Sequence, residues 1–128
     1  MLFRSRVLKF TREISSAATI RQVSGGAIVV GNERYTRTIA LTPDGLIESF
    51  APPPLEELAV SHFEVLLEHE PELVLLGTGE RTVFPPRELT FAFARRRVGL
   101  EVMDTPAAAR TFNVLAGEGR RLAAVLYL

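Results

Sequence analysis

The segment Glu72 to Gly79, ELVLLGTG, constrains the fold of this chain more than any other feature of the sequence. It is a continuous apolar run of strand length that ends in two glycines separated by a threonine. This pattern is typical of a strand that is buried on both faces and leads into a tight loop. Such a strand needs a covering layer on each side of its sheet, so the run predicts a central strand in a covered sheet.

A helix and a second strand are predicted after this run, from Pro85 onward. Alternation of Leu89, Phe91 and Phe93 is typical of a strand, whereas Leu89 and Phe93, together with Ala92, also share one face of a helix. Proline at the start, three arginines in the last turn and a glycine beyond favour the helix. The apolar segment that follows, GLEVM, is then a strand parallel to the first, because a helix crosses between the two.

The first half of the chain has a β-like pattern. Between Thr19 and Phe50, short apolar runs are separated by residues that favour turns, which predicts a β-meander with one solvated face. One of its strands is expected to run without interruption from Arg34 to Leu41. The prolines at 52–54 then interrupt the strands, because proline donates no backbone hydrogen bond.

A short helix is predicted to begin near Ser61. Ser61 and Glu64 form the capping-box pattern, in which each side chain accepts a hydrogen bond from the backbone N–H of the other residue. Phe63, Leu66 and Leu67 lie on the expected buried face, and Pro71 ends the helix.

Another helix is predicted to begin at Asp104-Thr105-Pro106, and a final apolar strand, RLAAVLYL, follows it. Proline favours the first helical turn and holds the residue before it in the extended region, so Thr105 is the expected N-cap. Asp104 adds negative charge near the positive end of the helix. Arg110 and Asn113, three residues apart, are expected to share a polar face.

Together these elements predict an α/β protein with α+β character, built as one mixed sheet covered by helices. A length of 128 residues is typical of one domain, so residues 1–128 are expected to form a single domain. Residues 1–18 start with a basic stretch that has apolar interruptions, and they are expected to form a loosely attached N-terminal extension.

The two predicted parallel strands indicate a candidate site at one edge of the sheet. Their carboxyl ends bring the loop Gly77 to Gly79 beside the start of the Thr105 helix. Free backbone amides there favour an anion, and Arg110 offers a fork for a carboxylate or a phosphate. The candidate ligand-binding residues are Gly77, Thr78, Gly79, Asp104, Thr105, Arg110 and Asn113.

A purely structural role for these residues is the alternative. The glycines then serve a turn, Thr105 only caps the helix, and Arg110 pairs with Asp104 or Glu101. The sequence leaves both interpretations open, because the Gly-Thr-Gly loop matches neither of the nucleotide-binding glycine patterns.

Composition excludes or disfavours several classes of protein. The absence of cysteine excludes disulfides, thiolate nucleophiles and cysteine-based zinc sites. The 15 basic and 15 acidic residues balance, which disfavours a nucleic-acid partner. No apolar run approaches the roughly 20 residues that a membrane span needs.

No catalytic set of side chains is recognisable either. Neither Ser24 nor Ser61 lies in a nucleophile elbow. His62 and His69 are seven residues apart on a predicted helix, about 10 Å at helical rise, which is too far to share one metal without help from glutamates. We assign no catalytic residue, no cofactor and no metal ligand. The residues favour a protein that is not an enzyme and leave catalysis open as the alternative.

Four motifs carry a resemblance to a known family. ELVLLGTG, GLEVMDT, AARTFNVL and EGRRLAAVLYL, in this order and spacing, resemble the small conserved-hypothetical family that includes the mitochondrial assembly factors of respiratory complex I. Weaker similarity covers most of the chain after about Thr19. The resemblance implies three layers around a mixed sheet of five strands, with a last strand antiparallel to its neighbours. The family has no established enzymatic activity.

The resemblance also assigns positions to the family signatures. The first falls on the loop Gly77 to Gly79, and the second falls on Met103, Asp104, Thr105, Arg110, Thr111 and Asn113. This chain has Phe112 where many relatives have tyrosine, and Ala109 where some bacterial relatives have cysteine. Neither a phenol nor a thiol at those two positions is therefore essential to this chain.

Two functional hypotheses follow. The first is a non-enzymatic soluble assembly or interaction factor with a protein partner, no nucleic acid and no membrane span. The resemblance places such a protein in the cytoplasm if it is bacterial and in mitochondria for eukaryotic relatives. The second is a small-anion binder or enzyme that uses the Gly77 to Gly79 loop and the start of the Thr105 helix. Homo-oligomers are a further expectation, formed through an uncovered apolar edge or face of the sheet at the strand RLAAVLYL or at the meander.

Overall fold

The computed structural model describes residues 18–128 of the chain. Residues 1–17, which make up nearly all of the predicted N-terminal extension, lie outside the described residues. That the whole chain is a single domain therefore stays a prediction.

The described strands form two sheets. An antiparallel sheet contains, in spatial order, β1 (Ile20–Ser24), β2 (Ala27–Val30) and β3 (Glu33–Tyr35). A mixed sheet contains β4 (Ile39–Thr42), β5 (Gly45–Leu46), β6 (Leu73–Thr78), β7 (Gly99–Met103) and β8 (Leu122–Tyr127). The spatial order of the mixed sheet is β5-β4-β8-β6-β7.

The helices connect the strands of the mixed sheet. Two 3₁₀ turns, Leu55–Glu57 and Val60–Phe63, lead into the short helix α1 (Glu64–Leu67). The helix α2 (Arg87–Arg95) connects β6 to β7, which confirms the choice of a helix over a strand for this segment. The helix α3 (Thr105–Gly117) connects β7 to β8.

The mixed sheet is the middle of three layers. On one face, α3 and the antiparallel sheet pack in one core with Leu75 and Leu126. On the other face, α1, α2 and the 3₁₀ turns pack in a second core with Val74 and Leu76. The predicted α/β class, with three layers around a five-stranded mixed sheet, is therefore confirmed.

β6 is the buried strand that the apolar run predicts. It lies between β8 and β7 and is parallel to both. Val74, Leu75 and Leu76 have no exposed surface. Since side chains alternate between the faces of a strand, β6 contributes to both cores, and one hydrophobic segment joins the two outer layers.

β8 corrects two expectations about the last strand. It is antiparallel to β4 but parallel to β6, because α3 crosses over between β7 and β8 and returns the chain to the sheet in the same direction. β8 also lies inside the sheet, so the segment RLAAVLYL offers no free edge for self-association. Homo-oligomer formation stays a prediction for other surfaces.

The uninterrupted strand predicted from Arg34 to Leu41 is wrong. β3 ends at Tyr35, and β4 begins at Ile39 in the other sheet. β4 pairs with β8, with Ile39 opposite Leu126, and all four residues of β4 are buried. This pairing between distant parts of the chain outweighs the local alternation. Burying all of β4 stabilises the fold more than extending β3 as one longer strand of the meander would.

The predicted capping box at Ser61 is also not formed. The 3₁₀ turn has Ala59 as its N-cap, and the Ala59 backbone N–H donates to Nδ1 of His62 at 3.0 Å. Glu64 instead forms an ion pair with Arg96, at 2.6 Å between Oε2 and Nη2. The hydrogen bond from Arg96 lowers the pKa of Glu64 below its ordinary value. The side chain of His62, and not that of Ser61, therefore accepts a backbone N–H at the start of this helical segment.

Candidate functional site

The loop after β6 and the start of α3 meet at the side chain of Thr105. The Thr105 hydroxyl donates to the carbonyl oxygen of Tyr127 at 2.6 Å and accepts from the Gly79 N–H at 2.8 Å. The Thr105 N–H donates to the Gly79 carbonyl oxygen, also at 2.8 Å. Because Thr105 is only 1% exposed, this junction fastens the ends of β6 and β8 to α3 inside the protein.

The predicted cap of α3 is wrong by one residue. Asp104 is the N-cap, and its Oδ1 accepts from the Ala107 N–H at 2.7 Å. Thr105 is the first residue of the helix and Pro106 the second. The Thr105 hydroxyl is bonded to Gly79 and Tyr127, so the carboxylate of Asp104 satisfies the free amide of the first turn instead.

Gly77 allows α3 to lie directly against β6. A Cβ atom at this position would lie 2.9 Å from the Thr105 Cα, 2.9 Å from its Oγ1 and 3.1 Å from the Ala108 Cβ. These distances are shorter than van der Waals contacts, so any side chain here would push the helix away from the strand. The first glycine of the loop therefore has a packing role.

Thr78 organises the loop between β6 and α2. Its hydroxyl donates to the Arg81 carbonyl oxygen at 2.6 Å and lies 3.2 Å from the Met103 carbonyl oxygen. The hydroxyl oxygen of Thr78 also accepts from the Val83 N–H at 3.0 Å. One side chain thus fixes the backbone of two loop residues at the end of the strand.

The backbone amides expected to face an anion are bonded within the protein. The N–H groups of Gly79, Thr105 and Ala107 have the partners described above, and the Ala108 N–H donates to the Asp104 carbonyl oxygen. Pro106 has no N–H. Ligand binding by the seven candidate residues stays a prediction, and the helix start contributes no free amide to it.

Asn113 lies away from this junction and faces β1. Its Oδ1 accepts from the Ile20 N–H at 3.0 Å, and its Nδ2 donates to the Ile20 carbonyl oxygen at 2.8 Å. The amide side chain therefore pairs with the backbone as a neighbouring strand would, next to a bulge in β1 between Ile20 and Gln22. Asn113 fastens the antiparallel sheet to α3.

Arg110 is exposed beside the same strand. With Arg21 and Asn113 it lines an open groove of about 170 Å³ between β1 and α3. Within residues 18–128 Arg110 forms no ion pair, so the alternative pairing with Asp104 or Glu101 is not formed. The sequence placed Arg110 in one site with the glycine loop, and the structure places it on another face of the helix.

A small cleft remains next to the Thr105 junction. It has a volume of about 100 Å³ and lies between the turn after β1 and the first turn of α3. Its lining includes Ser24, Gly25, Gly26, Gly79, Glu80, Pro106 and Tyr127. Among residues 18–128 no group of three or more histidines, aspartates or glutamates is placed to hold a metal ion. Nor does any helix of that part have the length and apolarity to cross a membrane.

Exposed apolar side chains on and before α2 were not identified from the sequence. Phe84 is 79% exposed, Phe91 53% and Val83 47%. A signal was present in the helical pattern, because Phe91 does not share the face of Leu89 and Phe93. An aromatic residue off the buried face of an amphipathic helix indicates a contact surface.

Comparison with known proteins gives one family. A family model described as "Protein of unknown function (DUF498/DUF598)" matches residues 20–127. The NADH dehydrogenase (ubiquinone) 1 alpha subcomplex assembly factor 3 of Homo sapiens is 30% identical over 125 residues. That match covers 96% of this chain and 67% of the human protein, so the chain spans about two thirds of that relative's length.

Solved structures agree with the fold described above. An NMR structure of a Xanthomonas campestris protein has a TM-score of 0.78 and 39% identity, covering 85% of this chain and 83% of that one. A Bordetella pertussis protein described as a Mth938-like domain has a TM-score of 0.73 and 27% identity, covering 88% and 87%. The three-layer arrangement is thus shared with experimentally determined relatives.

Proposed function

The chain belongs to the family of unknown function DUF498/DUF598, as its motifs predict, and from this membership we propose that it is a non-enzymatic factor that binds protein during the assembly of a multisubunit complex. The observation that carries the proposal is the match to the human assembly factor, which extends over 96% of this chain. Fold alone does not determine function, so the proposal rests on the named relative and not on the three-layer architecture.

A respiratory NADH dehydrogenase is the proposed client complex. This is the complex named in the assembly factor of Homo sapiens, and the same name is carried by the matching protein of Bos taurus, which is 32% identical over 125 residues. The exposed aromatic side chains before and on α2 support a role in protein contact, because such groups dominate the energetics of interfaces.

Deletion of the gene in its own organism tests the proposal. Membranes are solubilised, separated on native gels and stained for NADH dehydrogenase activity. We expect less of the assembled enzyme and more of its subassemblies, while succinate dehydrogenase on the same gels is unchanged. Returning the wild-type gene should restore the complex.

Crosslinked purification of the tagged chain provides the second measurement. A client subunit should be recovered in every repeat and should be absent from an untagged strain. Normal amounts of the complex after deletion, together with no reproducible partner above the untagged control, would contradict the proposed function.

A further inference from the structure

We propose that the outer face of α2 and the loop before it bind a protein segment in which acidic residues stand beside apolar ones. We call this region the α2 surface, and it consists of Val83, Phe84, Arg87, Phe91 and Arg95. The inference rests on the proposed function, because it specifies the chemistry of the protein partner and the place where that partner binds.

The apolar part of the α2 surface is large for groups exposed to water. Phe84 and Phe91 are both more than half exposed, and Phe91 lies in the middle of α2 on the side opposite the buried Leu89 and Phe93. Phe84 precedes the helix by three residues, so the two rings are only seven positions apart in the chain. Aromatic side chains in this position bury large area at small entropic cost when a partner covers them.

The charged part of the α2 surface is basic. Arg87, Phe91 and Arg95 are spaced four residues apart, so the two guanidinium groups flank the ring on one helical face. Within residues 18–128 neither arginine forms an ion pair, whereas the neighbouring Arg96 pairs with Glu64. Both cations therefore remain available to the carboxylates of a partner.

This local charge differs from that of the chain around it. Segment 80–97 contains five arginines and two glutamates, while the whole chain contains 15 basic and 15 acidic residues. A positive region within a chain of zero net charge attracts an acidic ligand to one place and orients it there. Charge complementarity thus selects an acidic and apolar segment as the partner.

The loop that carries Val83 and Phe84 is held in place before any partner arrives. The Thr78 hydroxyl bonds the Arg81 carbonyl oxygen and the Val83 N–H, as described above. Two consecutive prolines, Pro85 and Pro86, then fix the backbone up to the start of α2. A surface that is already ordered loses less conformational entropy on binding. The signature threonine therefore positions the aromatic residue of the docking surface.

An anionic membrane is the other surface that aromatic and basic side chains fit. The observations favour protein, because the whole chain has no net charge and the α2 surface offers two arginines without an ion pair in the described part of the chain, fewer than the roughly four to eight basic residues of a lipid-binding cluster. Glu80 and Glu88 lie beside the α2 surface in the chain and oppose an extended anionic surface. A peptide segment that contacts only the α2 surface avoids that opposition.

Selection from a random peptide library displayed on phage, with the full chain immobilised, tests the proposal. We expect recovered peptides to carry aspartate or glutamate within a few positions of leucine, phenylalanine or tryptophan. Phe84→Ser should weaken the binding of the best synthetic peptide by about tenfold or more. Arg87→Glu should weaken it several-fold and reduce its dependence on salt concentration.

Two substitutions on the other face of the mixed sheet are matched controls, one in α3 and one in β3. Val114→Ser removes an apolar side chain that is 60% exposed, and Arg34→Glu reverses an exposed arginine without an ion pair in the described part of the chain. Both should leave the affinity within about twofold of wild type. Thermal melting of each variant confirms that it is folded before its affinity is compared.

Three results would overturn the proposal that the α2 surface binds an acidic and apolar protein segment. These are recovered peptides without acidic residues, equal affinity for wild type and Phe84→Ser, and binding to phosphatidylglycerol vesicles that Phe84→Ser abolishes.

Photocrosslinking in cells, with the reactive amino acid at position 84 or 114, separates this failure from failure of the proposed function. Adducts from position 84 that Arg87→Glu removes support the α2 surface. Adducts from position 114 alone, or equally from positions 84 and 114, leave the proposed function standing but contradict the α2 surface as the binding site. The absence of adducts from either position contradicts both the function and the surface.

Discussion

Replacing Gly77 with alanine is expected to destabilise the protein, because β6 and α3 leave no room for a side chain between them. An alanine Cβ would lie 2.9 Å from the Thr105 Cα and 3.1 Å from the Ala108 Cβ, whereas ordinary contacts begin near 3.4 Å. One of these atoms is backbone and the other is the first side-chain carbon of a helical residue, so neither can rotate away. The helix itself must move by about 0.5 Å.

The size of the effect follows from three contributions. Overpacking of this kind costs about 1–3 kcal/mol. Movement of α3 also stretches the hydrogen bonds of the buried Thr105 hydroxyl, which adds about 1 kcal/mol. Alanine in place of glycine restricts the unfolded chain and offsets about 0.5–1 kcal/mol. We therefore expect Gly77→Ala to lower the free energy of unfolding by about 2 kcal/mol.

Urea denaturation followed by far-ultraviolet circular dichroism measures this change, with the slope of the transition unchanged. Gly117→Ala is the matched control, because Gly117 ends α3 and, apart from its chain neighbours and the backbone of its own helix, no atom lies within 4 Å of its ideal Cβ. The control should be neutral or stabilising by up to about 1 kcal/mol. If Gly77→Ala and Gly117→Ala have the same stability, the close contact of β6 with α3 does not exist as described.

Three further substitutions test the neighbouring contacts. Thr105→Val leaves the Gly79 N–H and the Tyr127 carbonyl oxygen without the hydroxyl and should cost about 1–3 kcal/mol in urea denaturation, whereas Thr105→Ser should retain most of the stability. Asn113→Ala removes both hydrogen bonds to the Ile20 backbone, so hydrogen exchange of the Ile20 amide should accelerate while exchange in β6 does not. Burial, with a smaller effect of a nearby glutamate, raises the pKa of Tyr127 from 10.0 to about 12. The unfolded chain therefore loses that proton first as the pH rises, so the free energy of unfolding should fall above pH 10. The fall should be smaller in Tyr127→Phe, which has no such proton. Parallel curves of the free energy of unfolding against pH for the two proteins would contradict this.

Elements with a strong local signal were predictable from the sequence. The run 73–78 has no polar residue before its threonine, and its strand length and glycines favour a strand that is covered on both faces. α2 was predictable because proline at its start and a basic last turn agree with helical spacing of Leu89 and Phe93. Parallel pairing of β6 with β7 then follows from the helix between them.

The candidate site was predictable only in part. Parallel strands end at the same edge of a sheet, which is why the glycine loop and the start of α3 meet at Thr105 as the sequence suggested. Asp104, and not Thr105, caps the helix, because the threonine hydroxyl has partners in β6 and β8 that no local pattern records. Helical spacing placed Arg110 and Asn113 correctly on one face, but it could not show that this face points to β1.

The sequence by itself determined which segments are strands and helices in the second half of the chain, because hydrophobic spacing and the positions of proline and glycine act over a few residues. Only the tertiary structure decided that the meander divides between two sheets and that β8 lies inside the mixed sheet beside β6. Strand pairing joins residues that are up to about 90 positions apart in the chain, as between Ile39 and Leu126. Its energy comes from burying both partners together, and neither partner carries that information in its own neighbourhood.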